Sequence, residues 1–275
     1  MSSSHRQANH LTRKIQTFLR SDVIAAKKLR RLAAGTWRTF LFGGTVREIL
    51  LMRRRPEIRD LDIVIDDAGF DSFRRHFKKE IAGINRFGGL RLTLETLPVD
   101  AWALSSTWAF KSGHVSGISG ARLPQTTFLN LDSIVFEITP GRVRNRLLAE
   151  PFVRAIKNNV LDIVLSENPE PELAAVRSIR MHFRYNMPVS RRLARYLVTY
   201  LDKAGVDGCL REQVRHYHRV LVDRDRVEGF WYDLKSFLNG PHEASLPHRL
   251  QLGLFDNSVQ AIRDYGSKKM SDLGS

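Results

Sequence analysis

The chain has 275 residues, and 44 Lys and Arg against 29 Asp and Glu give it a formal net charge of +15. Its content of 43% hydrophobic and 27% charged residues excludes disorder for most of the chain. A single cysteine excludes a disulfide framework, so a reducing cytoplasm is the predicted setting. No run approaches the ~20 apolar residues that span a bilayer, so no membrane partner is expected. The charge favours a polyanion, most simply nucleic acid.

The positive charge is concentrated in two segments. Residues 1–34 hold eight Lys and Arg against one acid, and residues 141–200 hold eleven against five. The 106 residues between them hold fourteen against twelve, and residues 201–275 hold eleven of each. A uniform solubility coat would not show this distribution, which places basic surface on both sides of a nearly neutral middle.

The predicted elements begin with one or two basic amphipathic helices between Leu11 and Ala34. Apolar residues recur there at three- and four-residue steps, with basic residues elsewhere around the helix. Strands and helices then alternate, which predicts a mixed unit built on few strands. Its predicted elements are a strand at Thr39 to Phe42, a helix at Thr45 to Arg54, a strand at Leu61 to Ile65, a helix at 68–82, one or two strands at Leu90 to Leu104 and a strand at Ser133 to Ile138.

From Gly141 onward the chain is predicted to be helical. The predicted helices are Val143 to Val164, Pro171 to Tyr185, Arg191 to Ala204, Leu210 to Val222 and Gly229 to Leu238. The fold class is therefore α+β, with a small mixed β-sheet head and an all-α neck and body. The predicted domains are a basic helical extension at 1–34, the head at 35–140, the helical neck and body at 141–265 and a flexible tail at 266–275.

A phosphate-binding turn is predicted at Gly43 and Gly44. These glycines follow a short apolar strand and precede a helix, so bare backbone N–H groups lie where an anion can approach closely. The helix dipole favours negative charge at the same point.

Two aspartates predict a site for divalent cations. Asp60 and Asp62 are two residues apart in a segment of Leu, Ile and Val, so their side chains point to one face of a strand. Two such anions repel each other unless a cation neutralises them, and carboxylates are the ligands of hard divalent metals. Asp100, in an apolar segment, is the best third carboxylate for a two-metal site, with Asp132 and Glu137 as alternatives.

Residues 43–51 (GGTVREILL) together with Asp60 and Asp62 resemble the head domain of bacterial tRNA nucleotidyltransferases and poly(A) polymerases, within the DNA polymerase β superfamily. The resemblance covers roughly residues 35–200. It implies a nucleotidyltransferase head that uses two Mg²⁺ ions, for which Mn²⁺ is a possible substitute. The family's downstream Glu-Asp-x-x-Arg motif, which selects the base, is not found, and Pro98-Val99 precede Asp100 in place of the family's two arginines.

The resemblance also implies roles for individual residues. Gly43 and Gly44 would hold the triphosphate of an NTP, and Arg47 stands at the family's Val-Arg pair, beside the nucleotide. Asp60 and Asp62 would bind the metal ions, and Asp100 would complete the metal site and help to activate the acceptor hydroxyl.

A second match lies in the segment from Pro171 to Tyr185. Arg177, Arg180 and Arg184 share one stripe of the predicted helix, as in the first neck helix of the family. The resemblance implies that Arg177 and Arg180 contact the nucleotide. From the residues alone, a solvated helix face is equally compatible with the pattern.

The predicted function is template-independent transfer of NMP from NTP to an acceptor hydroxyl, most simply the 3′ end of tRNA or another RNA. Two alternatives stay open. One is the same chemistry on a protein or small-molecule acceptor, and the other is a non-catalytic RNA-binding protein on a degenerate head. Aromatic residues of the head offer a further ambiguity, because Trp102, Trp108 and Phe110 either form core or stack bases.

Overall fold

The computed structural model describes residues 3–51, 58–138 and 146–240, without the side chains of residues 3–9. The ends of two predicted helices, at 52–54 and 143–145, and the predicted tail lie outside this part of the chain. The chain forms two compact units. Among the described residues, the first unit extends to Thr127 and resumes from Leu131 to Val153, and the second comprises Phe128–Asn130 and the chain from Arg154.

A mixed β-sheet is the centre of the first unit. Its strands within the described residues are β1 (Thr39–Phe42), β2 (Leu61–Ile65), β3 (Ile81–Ile84), β4 (Leu90–Leu94), β5 (Leu97–Ala103), β6 (Val135–Ile138) and β7 (Arg146–Leu148). They lie in the order β3-β4-β5-β2-β1-β6-β7. Only β2 and β5 are parallel neighbours, so these two strands begin at the same edge of the sheet.

Helices cover this sheet and confirm the predicted N-terminal pair. The helices that begin in the first unit are α1 (Ser3–Arg20), α2 (Ile24–Leu32), α3 (Gly43–Leu51), α4 (Asp67–His76), the short α5 (Trp108–Lys111) and α6 (Glu150–Asn158), which ends in the second unit. The apolar stripe of α1 and α2 is buried at Leu11, Ile15 and Leu29, where α1 packs against α2 and α3. Their periodicity therefore reports burial of one helix face.

The two faces of the sheet have different covers. On one face, Trp37 precedes β1 and its ring lies 5.3 Å from that of Phe73 on α4. On the other face, Phe40 and Val64 belong to a core cluster with Leu104, Phe110, Leu123 and Val135, contributed largely by the segment after β5 and by β6. This second face also carries Asp62 and Asp100, because alternate residues of a strand share a face.

Three helices make up most of the second unit: α7 (Pro171–Tyr185), α8 (Arg191–Tyr217) and α9 (Arg224–Asn239). Ser190 caps α8 by accepting the Leu193 N–H at 3.1 Å. The His182 ring on α7 stacks on Phe230 of α9 at 4.3 Å between centroids. The α+β class and the helical C-terminal region are thus confirmed. None of the described helices has both the length and the apolar character needed to cross a membrane.

The structure corrects two predicted elements and supports the break predicted within a third. Helix 68–82 ends at His76, and residues 81–84 form β3 because they pair with β4. The predicted helix 143–164 is wrong at its start, where Arg146–Leu148 form β7 by pairing with β6, which extends the sheet beyond the predicted head boundary at residue 140. The two helices predicted on either side of Gly205 are present as two stretches of α8, because Gly205, at φ +66° and ψ 175°, is not helical and kinks the element there.

Candidate active site

The glycine turn forms the start of α3. Gly43 follows β1 directly and has φ +52°, a left-handed conformation that favours glycine. Its N–H donates to the Ile134 carbonyl at 3.0 Å, so this amide does not face a phosphate as predicted. The Gly44 N–H lies in the first helical turn, which has no intrahelical acceptor. Anion binding by this turn therefore stays a prediction for Gly44 and the amides that follow it.

Thr45 connects this helix start to the predicted metal site. Its Oγ1 donates to the carbonyl of Asp60 at 3.1 Å. Asp60 is exposed and lies immediately before β2. The first turn of α3 and the backbone of Asp60 are thus neighbours.

Asp62 and Asp100 lie side by side on the sheet. They are register partners on the parallel strands β2 and β5, and both side chains are half-buried on one face. Among the described residues, no group of three or more His, Cys, Asp or Glu is arranged to hold a metal ion. The structure therefore brings Asp62 and Asp100 together and leaves Asp60 at the exposed edge of the pair.

The environment of Asp100 fits a divalent cation. Its Oδ1 is buried and has no hydrogen-bond partner. The nearest cation is Arg91 on β4, whose Nε lies 3.6 Å from Oδ1, too far for a hydrogen bond. Leaving a buried carboxylate oxygen unsatisfied is costly, and a hard cation such as Mg²⁺ or Mn²⁺ prefers such oxygen ligands. The donor set of Asp62 and Asp100 therefore suits these ions.

Both alternatives for the third carboxylate already have arginine partners. Asp132 forms an ion pair with Arg47. Glu137 on β6 accepts from Arg38 through Nε at 3.0 Å and Nη2 at 2.6 Å. Both accept close contacts from arginine, whereas the buried Oδ1 of Asp100 accepts no hydrogen bond, so Asp100 is the best third position of the three.

The structure does not support the predicted role of Arg47. Its side chain is buried, and its guanidinium contacts Asp132 as well as Glu48, the latter at 3.5 Å. A guanidinium held in this way fastens α3 to the segment before β6, which favours a structural role for Arg47. The residue pattern offered no sign of this, because Asp132 lies 85 positions further along the chain.

Arg177 and Arg180 lie on α7 in the second unit. Arg177 is exposed, and the Arg180 guanidinium lies over the Tyr217 ring with 4.8 Å between Cζ and the centroid. Their predicted contact with the nucleotide stays a prediction. Sequence reasoning also missed Arg91, which pairs with Asp100 across the β4–β5 hairpin, although the alternating pattern of that hairpin could have indicated the pairing.

The first unit combines a mixed β-sheet with covering helices, and comparison with known structures finds this α+β fold in other proteins. A CCA-adding enzyme with CTP superposes with a TM-score of 0.57 at 16% identity, over 84% of this chain and 55% of that one. The Thermotoga maritima CCA-adding enzyme complexed with tRNA gives a TM-score of 0.57 at 16% identity, over 83% and 56%. A tRNA-processing enzyme in an apo form gives 0.55 at 14%, over 78% and 58%.

The chain thus has the fold of the CCA-adding tRNA nucleotidyltransferases and spans slightly more than half the length of the proteins compared. At this level of identity the likeness concerns the fold. No family model and no curated protein matches the sequence.

Proposed function

We propose that the chain is a Mg²⁺-dependent, template-independent nucleotidyltransferase that transfers NMP from NTP to a 3′ hydroxyl of RNA. The observation that supports this best is the pair Asp62 and Asp100, in register on parallel strands beside the start of α3. The buried Oδ1 of Asp100 has no hydrogen-bond partner in the protein, which is the state expected of a ligand.

Each residue of the site has a distinct role in this proposal. The first-turn amides from Gly44 onward bind the triphosphate, and the positive end of the α3 dipole favours its charge. Asp60, Asp62 and Asp100 hold the metal ions. When bound, Mg²⁺ neutralises charge on the phosphates and lowers the pKa of a coordinated hydroxyl.

The reaction is an in-line displacement at the α-phosphorus. A bond forms between the acceptor 3′ oxygen and phosphorus, and the bond to the bridging oxygen breaks, so that pyrophosphate leaves. The proton of the acceptor hydroxyl passes to the carboxylate of Asp100, which lies on the strand next to Asp62. Little other chemistry is required, because positioning and charge neutralisation dominate this type of transfer.

RNA is the acceptor that the charge distribution favours. The net charge of +15 includes exposed cations on α1 and α2 at Arg13, Arg20 and Lys27. Among the CCA-adding enzyme structures similar to this chain, one is a complex with CTP, one a complex with tRNA and one a complex with ATP. These ligands make tRNA the first acceptor to test and CTP and ATP the first nucleotides.

The test is transfer of label from each of the four NTPs to total RNA and to tRNA lacking its 3′ end. We expect label in RNA with Mg²⁺ and none with EDTA. Asp62→Asn combined with Asp100→Asn should reduce transfer about a thousand-fold, because the metal site contributes several kcal/mol to the barrier. The matched control is Asp71→Asn, an exposed carboxylate on α4, which should transfer normally.

Two results would contradict the proposal. Transfer retained by the double variant would place the chemistry elsewhere. RNA binding by the wild-type protein with no transfer from any NTP would indicate a non-catalytic RNA-binding protein instead.

A further inference from the structure

The residues of the proposed site form a row across neighbouring strands of the sheet. Arg91 on β4 is the register partner of Asp100 on β5, which is in turn the partner of Asp62 on β2. β1 follows β2 in the sheet, and α3 begins with Gly43 at the end of β1. Strands lie ~4.8 Å apart, so this row from Arg91 to the helix start spans roughly 14 Å.

The order of this row predicts that the NTP and the acceptor RNA occupy opposite ends of it. In phosphoryl transfer the attacking and leaving oxygens lie on opposite sides of the phosphorus. The amides of α3 bind phosphates at the β1 end of the row, so pyrophosphate leaves on that side. The acceptor strand must then approach from the β4 side of Asp100. This step rests on the proposed function.

The indole ring of Trp102 lies on the β4 side of the site. Trp102 follows Asp100 by two residues on β5 and therefore points to the same face. It is half-buried and lies against Gly89, where an added Cβ would come within 2.3 Å of the indole Nε1. Within the described part of the chain, its N–H donates no hydrogen bond and its ring contacts no other aromatic ring.

The other two aromatic residues considered for stacking are engaged elsewhere. The Trp108 ring lies 4.7 Å from the His114 ring. Phe110 is buried in the core cluster of the same sheet face. Trp102 is thus the member of the three that has a half-exposed ring beside the carboxylates.

Gly89, which lies against the indole, ends a turn between β3 and β4 that carries an arginine and a second aromatic ring. The Arg86 guanidinium lies over the Phe87 ring, with 4.6 Å between Cζ and the centroid. Asn85 Oδ1 holds this turn by accepting the N–H groups of Phe87 at 3.0 Å and Gly89 at 2.9 Å. Aromatic rings with interspersed arginines are typical of surfaces that bind single-stranded nucleic acid.

We propose that Trp102, Arg91 and the turn with Arg86 and Phe87 form a subsite for the unpaired 3′-terminal nucleotides of the acceptor RNA. Trp102 stacks on a terminal base. Arg91, whose side chain is 60% exposed, contacts the adjoining phosphate and positions Asp100. Stacking accepts any base, so this subsite recognises a free single-stranded end and not a sequence.

The subsite is tested by binding alone, without NTP. The probe is a fluorescein-labelled eight-nucleotide oligoribonucleotide, measured by anisotropy. Trp102→Ala should weaken binding about 5- to 150-fold, the range that loss of one base–aromatic stack produces. The control Trp108→Phe should bind like the wild type. A blunt RNA duplex of the same sequence should bind equally well to wild type and Trp102→Ala.

Two further readouts separate contact from loss of fold. The unlabelled oligonucleotide should quench tryptophan fluorescence in the wild type and in Trp108→Phe, but not in Trp102→Phe, which keeps an aromatic ring. Arg91→Gln should lower the salt dependence of log Kd by about 0.7, the contribution of one single-strand phosphate. The exposed control Arg75→Gln on α4 should leave it unchanged.

The outcomes distinguish this subsite from the proposed function. Unchanged affinity in Trp102→Ala, or quenching that persists in Trp102→Phe, would contradict the subsite while NMP transfer by the wild type still stands. Failure of the wild type to transfer NMP would contradict the proposed function, whatever the Trp102 variants bind.

Discussion

Asp132→Asn removes the carboxylate that pairs with the buried Arg47, and it separates a structural role for this arginine from the nucleotide contact suggested by the sequence. The two side chains are 12% and 10% exposed, so solvent does little to screen the pair. Removing one partner of a buried ion pair costs about 3–5 kcal/mol, because the other charge stays buried without compensation.

The structure allows this range to be narrowed for each variant. Glu48 lies 3.5 Å from the Arg47 guanidinium and still opposes its charge in Asp132→Asn, so we expect the lower end, about 3 kcal/mol. Arg47→Met leaves Asp132 and Glu48 without their shared cation, so we expect the upper end, about 5 kcal/mol. The first loss corresponds to a fall in Tm of about 6–12 °C for a domain of this size.

Thermal and urea unfolding of the two variants measure these losses, with the exposed Asp71→Asn as the control. NTP affinity is measured under conditions where each variant is folded. A fall in Tm with unchanged NTP affinity supports the structural role. Stability equal to the wild type, together with weaker NTP binding by Arg47→Met, would refute it and restore the nucleotide contact.

Three further predictions concern the glycine turn, a helix cap and a buried thiol. Gly43→Ala should cost about 1–2 kcal/mol in urea unfolding because of its φ of +52°, whereas Gly44→Ala should leave stability nearly unchanged and raise the KM for NTP. Ser190→Ala should lower the stability of the helical unit by about 0.5–2 kcal/mol, since its hydroxyl caps α8; Ser166→Ala is an exposed control. Burial raises the pKa of Cys209 from 9.0 to about 11, so its thiol should react slowly with a disulfide reagent at pH 8. The raised pKa also means that the stability it contributes is complete below pH 9 and is lost as the pH rises towards 11, so Tm should fall less over this interval in Cys209→Ala than in the wild type.

The pattern of apolar residues within a segment predicted the helices and strands that bury one face or nearly all of their residues. Leu61–Ile65 is a strand with four of its five residues buried, and Pro171–Tyr185 begins at its proline and ends before Asn186 at φ +51°. Each of these signals lies within the element itself. Such elements can be predicted because neighbouring residues alone determine the apolar pattern and its ends.

Edge strands could not be predicted in the same way. The residues of β3 are half-buried or exposed, and those of β7 have no buried position. Neither strand has an apolar alternation strong enough to identify it. They are strands because β4 and β6 offer unpaired N–H and C=O groups, a cause that lies in another part of the chain.

In the candidate site, too, some features depend on neighbouring residues and others on residues far away in the sequence. The glycine turn and the two aspartates of Asp60-Leu-Asp62 are local patterns, and the structure keeps them adjacent through Thr45. The choice of a third carboxylate depends on distant partners. In the sequence, Asp100 is preferred as a lone acid in an apolar segment, but nothing in the pattern excludes Asp132 or Glu137.

The arginine contacts of the three carboxylates distinguish Asp100 from Asp132 and Glu137. Asp132 and Glu137 each receive an arginine, and a carboxylate already paired in this way would lose that partner on binding a metal ion. Asp100 has a buried oxygen that the protein leaves without a hydrogen bond, with Arg91 held just beyond reach of it. A cation at this oxygen would satisfy the carboxylate without displacing a hydrogen bond, since the ion pair with Arg91 at 3.6 Å is too long to be one, and Arg91 would become available for the phosphate of an incoming strand. The register between β4, β5 and β2 therefore underlies both proposals, the one that makes Asp100 a metal ligand and the one that brings the acceptor in from the β4 side.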